Sequence, residues 1–168
     1  MKAYGIEVED VLDGIMSKIN IIGNTAGTSN AEIITGLSRS AAAMSAMNST
    51  LDENIALFTA AQEIIQNDSQ VGNAIRSISL RIRGYDEETE QLSEELANIS
   101  GEVVDLTKTV QHAEGVSLFT DASQEHYKTV YEYLQDISEI YDELSEKQQQ
   151  QLMEKLFGKN RANVGQAI

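Results

Sequence analysis

The sequence predicts an all-α fold, a compact array of short antiparallel helices followed by longer amphipathic helices. Three observations lead there. The 168 residues include no proline, so every position keeps the amide that a helix ladder needs. Aromatic residues make up 5% and hydrophobic residues 41%, a balance that argues against a proline-punctuated β fold. Apolar residues also recur at three- and four-residue spacing along most of the chain, the period of one helix face. One module is enough for this length.

Element by element, Val8, Val11, Leu12, Ile15, Ile19 and Ile22 form the first stripe, which is expected to end near Gly23. The small polar run NTAGTSN reads as a loop. Ser29 and Glu32 make a Ser-x-x-Glu capping box that opens the second helix. That helix carries GLSRSAAAMSAM, and Asn48 with Ser49 closes it. Its many small residues fit either simple helix propensity or the close approach of a second helix, with Leu37, Ala41, Ala42, Met44 and Met47 as the packing face. Thr50 and Glu53 repeat the capping pattern ahead of Leu51, Ile55, Leu57, Phe58, Ile64 and Ile65. Asp68 is the expected cap of a fourth helix, whose face is Val71, Ile75, Ile78 and Ile82 and whose end is Arg83-Gly84.

Past Gly84 the pattern changes. Residues 1–84 hold six basic and nine acidic groups, whereas residues 85–168 hold six basic and 18 acidic ones. A sub-boundary near 84 follows, with a short-helix cluster before it and acidic, longer helices after it. Tyr85, Thr89, Leu92, Leu96, Ile99, Val103, Leu106 and Val110 make a heptad-like seam. The Ser100-Gly101 pair interrupts it, and Val103-Val104 could begin an extended segment, so helix is expected chiefly before residue 100. HAEGVSLFTDAS reads as a loop, with Asp121 or Ser123 as the next cap. Tyr127, Val130, Leu134, Ile137, Tyr141 and Leu144 mark a long helix. Ser145 and Gln148 form another capping box, Leu152, Met153, Leu156 and Phe157 a short apolar face, and Gly158 a C-terminal stop. The final NRANVGQAI reads as the start of a further helix, so the chain is expected to be a fragment of a longer one.

The chemistry this composition excludes is broad. There is no cysteine, which removes disulfides, thiolate metal sites and cysteine catalysis together. His112 and His126 lie 14 residues apart, and neither has the helical ligand spacing of a metal site. The carboxylates of DEETEQLSEEL read as a solvated face. No Gly-rich phosphate loop and no Gly-x-Ser-x-Gly elbow occurs. No enzyme activity, cofactor or metal is therefore expected. A net charge of -15 argues against direct nucleic-acid binding, and no apolar run reaches the roughly 18 to 20 residues of a membrane span. Arg76, Arg81 and Arg83 form the one local basic cluster, either contacting an anionic partner or pairing with the acidic second half.

Three stretches in this order carry a family resemblance: Gly36 to Ala42, VGNAIRSISLRIRG from Val71 to Gly84, and LFGKNRANV from Leu156 to Val164. With them the chain resembles the central domain of tape measure proteins from long-tailed phages and prophages, over nearly all its length and most loosely at residues 90 to 115. The resemblance implies a structural virion protein, a segment of the chain that fills the tail lumen and helps to set tail length and assembly. It implies residence in the phage tail, and in the host cytoplasm during assembly. Tail tube, tail chaperone and baseplate proteins are the implied partners, with self-association also open. The contrasting reading from the residues alone is a helical protein–protein binding module of a cytoplasmic signalling or secretion system, supported by the Tyr127 to Leu144 stripe.

Overall fold

In a computed structural model the chain is described at residues 2–5, 15–26, 29–86, 91–94 and 96–158. The all-α class holds. Among the described residues there are seven α-helices and no strand: α1 (Met16–Ala26), α2 (Asn30–Ala46), α3 (Leu51–Ile65), α4 (Asp68–Ile82), α5 (Ile99–Leu106), α6 (Val130–Ile140) and α7 (Glu146–Phe157), with 3-10 turns at Lys2–Tyr4 and Tyr141–Glu143. The chain groups into two compact units that divide between Arg76 and Ser77, within α4 and upstream of the charge step near Gly84.

Capping chemistry sets the helix starts. Ser29 with Glu32, Thr50 with Glu53 and Ser145 with Gln148 each close a full capping box, in which the hydroxyl accepts the third helical amide and the acid or amide side chain accepts the cap amide. A fourth box, Thr129 with Glu132, opens α6 in place of Asp121 or Ser123. Asn67 takes the part expected of Asp68, its Oδ1 accepting the Gln70 amide at 2.9 Å. Gly158 ends α7 at a φ of 72°. The first helix runs through Gly23 to Ala26, because one glycine inside an apolar stripe weakens a helix without ending it. Val8, Val11 and Leu12 lie outside the described residues.

In the first unit α2 and α3 form an antiparallel hairpin. Ser40 meets Asn54 and Gly36 meets Phe58, so contacts advance along one helix as they recede along the other. Ile19, Ile22, Ile33, Leu37, Met44, Phe58, Val71 and Ile75 are buried there, each worth about 1.5–3 kcal/mol on removal from water. In the second unit α5 lies antiparallel to α7. The Gln148 side-chain amide donates to the Leu106 carbonyl at 3.0 Å, and Lys155 pairs with Glu102 at 2.6 Å. Its core is built from Ile78, Ile82, Val103, Leu118, Val130, Tyr133, Ile137, Leu152, Leu156 and Phe157.

The second half departs from expectation in three respects. Its helices are not the longer ones: α5, α6 and α7 have 8, 11 and 12 residues, against 17 for α2 and 15 each for α3 and α4. The heptad-like seam is not one helix. Gly84 turns the chain at a φ of 80°, after which Tyr85 and Leu92 pair in an antiparallel bridge, tied by Ser93 N to Gly84 O at 2.9 Å. Among the described residues helix resumes at Ile99 and passes through Ser100-Gly101 and Val103-Val104. Leu92 and Val110, two of the seam positions, face solvent, while Thr89 lies outside the described residues. The Tyr127 to Leu144 stripe is likewise divided, since Tyr127 precedes α6 and Tyr141 begins a 3-10 turn.

Candidate functional site

In the first unit α2 and α4 cross backbone to backbone. A methyl group on Gly72 would stand 2.1 Å from the Gly36 carbonyl oxygen, and one on Gly36 would stand 2.4 Å from the Phe58 ring and 2.6 Å from the Asp68 carbonyl oxygen. No side chain larger than hydrogen fits at either place. Beside the crossing, Arg39 Nη1 donates to Asn73 Oδ1 at 3.3 Å. At this crossing α4 comes close to α2 at Gly36, the residue that begins the small-residue run.

The inward face of α2 comprises Ile33, Gly36, Leu37, Ser40, Ala41, Ala43 and Met44, with Met47 buried just beyond. Leu37, Ala41, Met44 and Met47 thus lie on it. Ala42 does not. It is exposed, as is Ala46, and Ala43 occupies the inward place. The helical turn puts positions 36, 40 and 43–44 in line, and position 42 falls on the far side.

A buried polar chain fixes the register of α2 on α3. Ser40 Oγ donates to Asn54 Oδ1 at 2.9 Å, and Asn54 Nδ2 donates to the Tyr4 hydroxyl at 3.0 Å. Ser40 and Asn54 are fully buried. Burial pushes the Tyr4 phenol up to about 12, against a smaller lowering from the Asn54 hydrogen bond. Ser45 Oγ donates to the Ala3 carbonyl at 2.6 Å, so the N-terminal turn is held at two points. Sequence pattern did not single out Tyr4, Ser40 or Asn54. A Ser and an Asn facing inward on consecutive helices is the only signal that could have.

In the second unit the polar groups serve the loops. Thr107 is buried: its hydroxyl donates to Val103 O at 2.7 Å and accepts the Val116 amide at 2.8 Å. Gly115, at a φ of 68°, passes so near that a Cβ would meet Val104 O at 2.1 Å. His112 Nδ1 and Thr109 Oγ1 both reach Glu143 Oε2, at 3.2 and 2.9 Å. His126 Nδ1 lies 2.8 Å from Asp121 Oδ2, and Ser123 Oγ donates to Asp121 Oδ1 at 2.6 Å. The Ser123 hydroxyl, then His126, hold the Asp121 carboxyl well below the usual carboxylate range. Ser123 is thus bonded to the aspartate and not to the histidine, and the three do not form a nucleophile–base relay. Phe119 and Tyr127 pack with ring centroids 4.9 Å apart. Among the described residues no group of three or more His, Asp or Glu is placed to hold a metal ion.

The three arginines have separate surroundings. Arg81 Nε and Nη2 donate to the Lys155 carbonyl at 3.3 and 3.2 Å, in the last turn of α7, where free carbonyls favour a cation. Arg81 is thereby taken up inside its own unit, on a backbone oxygen of the acidic half and not on a carboxylate. Arg83 stacks on Tyr85 with its guanidinium carbon 5.4 Å from the ring centroid. Arg76 is half-buried at the end of the first unit.

What distinguishes this arrangement is packing and helix-end chemistry. Residues 1–158 match the family described as phage-related minor tail protein. The chain belongs to that family. No curated protein and no solved structure matches it. As a phage tail protein it is virion-associated, and a structural role in the tail accords with the two helical units. No helix among the described residues of this tail protein is long and apolar enough to cross a membrane.

Proposed function

We propose that this chain is a segment of a tape measure protein and that it acts there as a compact module, not as the stretch that sets length. Membership of the minor tail family carries the first part of this reading, and the resemblance of the Gly36, Val71–Gly84 and Leu156–Val164 stretches supports it. Helix length carries the second part. As one continuous helix, 168 residues would span about 250 Å at roughly 1.5 Å per residue. The longest helix among the described residues, α2, has 17 residues and therefore spans about 25 Å. Flanking helical regions would then set most of the tail length, and this module would help assembly through tail tube, tail chaperone or baseplate proteins. A net charge of -15 suits a filler of the tail lumen that DNA must pass without adhering.

The test is mass spectrometry of purified particles, searching for peptides from Ser77 to Arg81 and from Tyr131 to Tyr141. Their recovery in the tail fraction, within a polypeptide much longer than 168 residues, supports the tape measure reading. Recovery only from the cell fraction, on a chain of this size, would overturn it in favour of a cytoplasmic helical binding module.

A further inference from the structure

We draw no further inference here: the strongest candidate, the fully exposed Val110 at the tip of the turn that Glu143 holds through Thr109 and His112, is an apolar surface, and nothing in the structure shows what covers it.

Discussion

The two units hold short helices together by different means. In the first, helices of 15 and 17 residues meet through absent side chains: Gly36 against Gly72, with the Ser40–Asn54 pair setting register. In the second, helices of 8 to 12 residues are held by side chains that reach backbone carbonyls at helix ends and turns. Gln148 reaches Leu106, Gln149 reaches Tyr141, and Arg81 reaches Lys155. Helices this short are marginal alone, and their unpaired end carbonyls make up a large share of their backbone. The second unit also buries apolar faces of α6 and α7, and these helix-end bonds add to that core.

The sharpest way to break this contrast is Gly72→Ala. Alanine is the better helix former by about 1 kcal/mol, yet its methyl would collide with the Gly36 carbonyl. An overpacking cost of about 3 kcal/mol, less the helix gain, leaves a net loss of about 2 kcal/mol, read as a lower midpoint in thermal unfolding followed by circular dichroism. An unchanged or raised midpoint removes the crossing as an organising contact. In the second unit, Thr107→Val keeps the shape but deprives the buried Val116 amide of its acceptor. Urea unfolding should show a loss of about 2 kcal/mol, and no loss would mean that the loop does not depend on that bond.

Two adjacent alanines sharpen the packing face itself. Ala43→Leu should cost about 2 kcal/mol by overpacking, whereas Ala42→Leu, on the exposed side, should stay within about 0.5 kcal/mol of the parent. Equal effects would contradict the assigned face. At the start of α6, Thr129→Ala removes a capping hydroxyl and should cost about 1 kcal/mol, measured by the same denaturation.

The last effect is alkaline. Tyr4 keeps its proton up to about 12 in the folded chain against an ordinary value of 10.0. Because the folded-state value is the higher one, its contribution is whole below pH 10 and is lost as pH rises from 10 toward 12. Tyr4→Phe should flatten that part of the stability profile, and an identical profile would show that the N-terminal turn does not hold the phenol in the fold.

Most of the first unit was legible because its signals are local. Capping boxes at Ser29 and Thr50 each lie within one helical turn of sequence, and the stripe that begins at Val71 and Ile75 repeats from turn to turn. The Gly36–Gly72 crossing was not, since neither glycine announces its partner 36 residues away. The inward place of Ala43 in preference to Ala42 needed the exact rotation of α2, which three consecutive alanines leave open. In the second unit the heptad-like spacing from Tyr85 to Val110 misled. Periodicity records where apolar residues recur, but a left-handed Gly84 and the Tyr85–Leu92 bridge decide that the chain leaves the helix there. The four inward positions of α7 were readable, whereas the Arg81 contact that finishes that helix was not, because it joins residues 74 apart in sequence. The function was legible only at the level of the phage tail family.

The most direct measurement is tail length by electron microscopy after in-frame deletion of the codons for residues 1–168. If the segment is a compact module, tails keep their native length or fail to assemble. Infectious tails shortened by about 250 Å, the span of 168 residues as one continuous helix, would show that it measures and would contradict the compact reading.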